Sequence, residues 1–93
     1  MRNDKIGIQE YFTFLESVSP FLNPGFVKRA KKVEYGQWEL PFEATLLELV
    51  EIPRSKVRFD KNLVTALAQE SNLTTSGVLD TETWGKFLRW ELR

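Results

Sequence analysis

Apolar residues recur along this chain at intervals of three and four, the spacing that gathers them on one face of an α-helix. Ile8, Tyr11, Phe12, Leu15 and Val18 follow the i, i+3, i+4, i+7 pattern and predict a first helix, with Asp4 able to cap it. Gly7 interrupts its opening turn, and Pro20 closes it, because the residue before a proline is pushed out of helical geometry. Asn23-Pro24 then reads as a helix start, a capping side chain followed by proline at the first helical position. Phe26, Val27, Ala30 and Val33 supply the buried stripe of this second helix, and Gly36 is a plausible stop.

The third segment, residues 38–52, dominates the pattern. Leu40, Phe42, Leu46, Leu47, Leu49 and Val50 surround most of a helical circumference, which predicts a central, buried helix. Pro41 fits only in its first turn, and Pro53 ends it. A fourth helix begins between Ser55 and Asp60, with Leu63, Val64, Leu67 and Ala68 as its apolar face. The polar, glycine-containing run 72–77 reads as a loop. Asp80 caps a last helix from Thr81 to about Leu92, with Trp84, Phe87, Leu88 and Glu91 on one side. Trp90 faces another way, so one of the two tryptophans is expected to stay partly exposed. No strand pattern competes. The expectation is an all-α fold: one domain, residues 1–93, a bundle of about five helices around the segment 38–52.

Composition narrows the chemistry. The chain of 93 residues is 42% hydrophobic and 28% charged, ordinary for a globular domain with one modest core. Cysteine and histidine are both absent, which removes disulfides, the usual zinc sites, thiol nucleophiles and histidine acid–base schemes. Glu39 and Glu43 share a helix face at i, i+4, yet no third ligand signature or glycine-rich loop accompanies them. The expectation is a protein without enzymatic activity, metal or cofactor. No membrane span or signal peptide is visible, so a cytoplasmic location is the default.

Thirteen cations and thirteen anions cancel, which gives no net field for nucleic acid or anionic membranes, but their distribution is uneven. Residues 1–32 carry six positive and three negative charges, residues 33–52 carry five glutamates and no cation, and residues 53–93 carry seven positive and five negative. Lys28, Arg29, Lys31 and Lys32 invite thoughts of RNA; a solvated face completing the helix dipole explains them too. The acidic middle, beside Tyr35 and Trp38, suits a patch for a basic protein, with aromatic anchors and carboxylates that steer the encounter. Alternatively, Tyr35 and Trp38 are core residues.

At these residues a resemblance arises. The run Glu34-Tyr35-Gly36-Gln37-Trp38-Glu39-Leu40-Pro41-Phe42-Glu43, followed by Leu46-Leu47-Glu48-Leu49-Val50-Glu51, resembles the small helical immunity proteins of bacteria, of the MafI type and of contact-dependent growth inhibition systems. The similarity covers roughly residues 20–73, in pattern rather than identity. It implies a non-enzymatic protein that neutralises the C-terminal domain of a cognate toxin, often a ribonuclease, by covering its active site or substrate surface. Glu34, Tyr35, Trp38, Glu39, Glu43 and Glu51 are the contact residues this implies. A second stretch, Gln69 to Trp84, is similar to the end of peptidoglycan-binding modules in the spacing of Leu73, Gly77, Thr83 and Trp84. It implies cell-wall binding instead; a glycine turn, a helix cap and a buried tryptophan explain the same residues. A small adaptor in a larger complex is the third expectation.

Overall fold

Local capping chemistry marks three of the helix starts. The structure, a computed structural model, describes residues 7–33, 37–70 and 81–92. Helix α1 spans Ile8–Val18. Gly7 caps it rather than interrupting it: its N–H donates to the Glu10 carboxylate at 2.9 Å, which satisfies one of the donors left over at a helix start. Asp4, the expected cap, lies outside the described residues. Pro20 sits within a 3₁₀ turn, Ser19–Phe21, that follows directly on α1. Helix α2 spans Pro24–Ala30, and the Asn23 side chain accepts from the N–H groups of Gly25 and Phe26 at 2.7 and 3.3 Å. It stops at Ala30, before Gly36, which is also outside the described residues.

Helix α3 spans Glu39–Leu49. Pro41 is its third residue, where a missing N–H costs no intrahelical bond. The expected stretch to residue 52 survives as a tightened turn. Glu51 N–H bonds to Glu48 O and Ile52 N–H to Leu49 O, at 3.2 and 2.9 Å. A 3₁₀ turn, Arg54–Lys56, leads toward α4, Lys61–Glu70. The Asp60 carboxylate caps α4 through Asn62 and Leu63 N–H at 3.0 and 3.3 Å. Helix α5 spans Thr81–Glu91; the loop 72–77 and Asp80 lie outside the described residues. Among the described residues there are five α-helices and no strand.

Packing places α3 where three other helices meet it. Phe14 of α1 meets Phe42 edge-on at 5.7 Å between ring centroids, and Tyr11 stacks on Trp38 at 6.2 Å. Helix α2 packs on a second flank, while α4 packs against α1. Helix α5 runs beside α3 in the same direction. Thr83 near its start donates to the Glu43 carboxylate at 2.8 Å, and Trp90 near its end donates from Nε1 to Ile52 O at 2.7 Å. Phe59, Trp84, Phe87 and Trp90 form an aromatic row along this joint, with centroid spacings from 5.3 to 6.1 Å. The radius of gyration is 12.6 Å, close to the ~12 Å that packing scaling gives for a chain of this length.

The all-round burial that the pattern of residues 38–52 predicts is not present in the fold. Helix α3 is central in its contacts but not buried all round. Phe42, Thr45, Leu46 and Leu49 are fully buried, whereas Leu40 is 56% exposed and Leu47 38%. Its neighbours cover one side and the flanks, and the remaining arc faces solvent.

Candidate functional site

Helical spacing divides α3 into two faces. Phe42, Thr45, Leu46 and Leu49 point inward. On the opposite side, Leu40, Ala44, Leu47 and Glu51 succeed one another at three- and four-residue steps, with Glu48 four residues after Ala44. This outward strip is aliphatic at its centre, with Ala44 half-buried between the two leucines, and acidic toward its C-terminal end. Glu48 and Glu51 are both exposed.

Of the six residues expected at a partner interface, the four described ones do not share one exposed face. Glu34 and Tyr35 lie outside the described residues. Trp38 belongs to the core instead of standing out as an anchor: it is 5% exposed, stacked on Tyr11 and edge-on to Phe42 at 5.8 Å. A large aromatic at the head of α3 closes the gap between α1 and α3, and burial of so much ring surface stabilises that junction. Glu39, half-buried, starts the helix, where a carboxylate complements the positive end of the dipole. Glu43, also half-buried, faces α5 and accepts the Thr83 hydroxyl. Among the four described, Glu51 alone is exposed on the outward strip.

Leu40, Leu47 and Glu48 are what sequence reasoning missed there. The i, i+7 spacing of the leucines put them on one face, but an apolar count around the whole helix assigned that face to the core.

Charge around Glu51 is mixed. It lines a groove of about 300 Å³ with Val50, Lys86, Arg89 and Trp90. Helix α3 has no basic residue in its last turn. Lys86 and Arg89 of α5 therefore stand where cations complement both the negative helix end and Glu51. A neighbouring groove of about 470 Å³ is lined by residues 50–55 and Trp90. Arg54 on its wall is fixed on several sides. It donates to Val57 O at 2.8 Å, lies 4.8 and 5.3 Å from the Phe59 and Trp90 ring centroids, and approaches Glu91 at 3.8 Å. Lys61 completes this cluster, 3.2 Å from Glu91. Its members hold the 52–61 connection onto α5, a structural task.

Two buried hydroxyls are satisfied within the core. Thr45 donates to Pro41 O and the Tyr11 phenol to Ala30 O, each at 2.7 Å. Burial pushes the Tyr11 phenol up to about 12, against a smaller opposing effect of the Thr45 hydroxyl. Among the described residues, no cluster of three or more acidic side chains is placed to hold a metal ion. No described helix is long and apolar enough to cross a membrane.

The residues shared with peptidoglycan-binding modules have work inside this fold. Thr83 is buried on Glu43, and Trp84 is half-buried and stacked on Phe87 at 5.3 Å. Leu73 and Gly77 lie outside the described residues. No protein-family model matches the chain, and no match is found among curated proteins or solved structures.

Proposed function

We propose that this chain is a binding protein that inhibits a basic protein partner, as the immunity proteins it resembles do, through the outward strip of α3. The observation that carries this reading is the exposure of Leu40 and Leu47 on a helix whose other side is locked into the core. Apolar surface left in water forgoes roughly 25 cal/mol per Å² of stabilisation, which a docked partner recovers. Leu40, Ala44 and Leu47 form the apolar centre of the contact, and Glu48 and Glu51 its acidic rim. Carboxylates so placed pair with lysines or arginines, the groups a ribonuclease uses to hold phosphates. They also steer a basic domain toward the strip. Covering the cations that hold substrate is sufficient for inhibition.

The test uses tagged chain to capture the partner from its native cells, followed by titration of the purified partner's RNA-degrading activity. The expected result is inhibition that saturates at one chain per partner, weakened at least tenfold by Leu47→Asp or by Glu48→Lys with Glu51→Lys. Glu43 is left out of the variants because it holds Thr83 in the α3–α5 joint. A captured protein bound equally well by wild type and these variants, or one whose activity the chain leaves unchanged, would sink the reading.

A further inference from the structure

The outward strip of α3 has a counterpart on the same molecule. Between the Ser19–Phe21 turn and α2 lies a notch of about 340 Å³, lined by Ser19, Pro24, Val27, Lys28 and Lys31. Its floor is apolar, from Pro24 and Val27. The Ser19 hydroxyl is committed to Glu16 O at 2.9 Å, so the ammonium groups of Lys28 and Lys31 dominate the rim. Arg29 and Lys32 extend the basic surface, and all four cations are exposed. Among the described residues, none has a carboxylate within the 4 Å of an ion pair. The negative end of a helix calls for roughly half a charge in compensation, so four cations leave a surplus of more than about three.

An apolar notch with a cationic rim fits a leucine flanked by glutamates. Leu47 with Glu48 is such a group, on a stretch that carries no cation from residue 33 to 52, and Glu51 adds to it beside Lys86 and Arg89 of α5. We infer that the chain associates with a second copy of itself, α2 of each copy receiving the outward strip of α3 of the other. Helices α2 and α3 pack against one another, so a two-fold axis beside them allows the contact to form twice and close. Net charge of zero favours this association, since no overall repulsion opposes it. The dimer then covers the strip assigned above to the partner, and self-association and inhibition compete. That competition rests on the proposed function; the dimer itself does not.

The test is the solution mass of purified chain, by light scattering and sedimentation equilibrium, up to millimolar concentration at low salt. Wild type is expected to move from 10.9 kDa toward twice that mass as concentration rises, and back as salt screens the rim charges. Lys28→Glu with Lys31→Glu, and Glu48→Lys with Glu51→Lys, each set like charges face to face in both contacts, so each alone is expected to stay monomeric. Mixed one to one, they restore both contacts, one with its signs exchanged and the other as in wild type, and recover the dimer. Circular dichroism melts confirm that each variant is folded, and the wild-type salt series needs no variant. A wild type that stays monomeric throughout overturns the inference. So does a dimer that survives both variants, or a mixture of folded variants that fails to pair. Dimerisation without inhibition of any basic partner retires the proposed function alone, and inhibition by a strict monomer retires the dimer alone.

Discussion

The phenol of Tyr11 lies where three helices meet: it belongs to α1, donates to Ala30 O of α2 and lies beside Thr45 of α3. Its value near 12, against about 10 in an unfolded chain, ties stability to alkali. A raised folded-state value means that the folded chain holds the proton more tightly. The linked stability is complete below pH 10 and lost as pH rises toward 12. Two units correspond to roughly 2–3 kcal/mol. Melting curves between pH 7 and 11.5 should show this fall in wild type and a shallower one in Tyr11→Phe, where only other groups titrate. The same variant should be about 1 kcal/mol less stable at pH 7, having lost one buried hydrogen bond. The tryptophans divide as sharply. Trp38 and Trp90 are buried and Trp84 half-buried, so acrylamide should quench wild-type fluorescence mainly through Trp84. Trp84→Phe should leave a blue-shifted, poorly quenched emission.

Among the elements, α3 offers a direct contrast between its two faces. Phe42→Ala should cost about 3–5 kcal/mol, as cavities at fully buried aromatics do, whereas Leu40→Ala should change stability by less than about 0.5 kcal/mol. Thermal denaturation of the two variants checks both values. The pair also marks where sequence reading stops. Asn23-Pro24 was legible as a helix start because its chemistry is local, a side chain bonding to N–H groups two and three residues on. Asp60 acts in the same way at α4. Which leucines of α3 face inward is not a local matter: it depends on α1 and α5, whose contacts come from distant sequence. Trp38 was open between core and interface for the same reason, and the ring of Tyr11 decides it. Fully buried Phe14 and half-buried Phe12 both suit the face that periodicity draws on α1, and only the partner helix distinguishes them. The Arg54 cluster had no sequence signature at all. Arg54→Ala should destabilise the fold by about 1–3 kcal/mol, and Arg54→Lys should not fully restore it, because an ammonium lacks the planar fork that lies against Phe59 and Trp90.

At the scale of the molecule, zero net charge conceals two opposed exposed surfaces, a basic α2 and an acidic outward strip on α3. Segregation of this kind was readable in the sequence as charge blocks; that each block has apolar ground beside it became visible only with the fold. The joint between α3 and α5 has a further consequence, in time rather than space. Two of its hydrogen bonds link residues 40 and 38 positions apart. Such distant closures slow folding, because chain entropy is lost before the contacts reward it. They also order events during synthesis. While residues 81–92 are still inside the ribosome, the flank of α3 that receives α5 stays bare, and Phe59 lacks Phe87 and Trp90. A nascent chain stalled at that point should remain open to proteases that the finished α3–α5 joint excludes. The seating of α5 against α3 would therefore be one late step, with the aromatic row of Phe59, Trp84, Phe87 and Trp90 closing together.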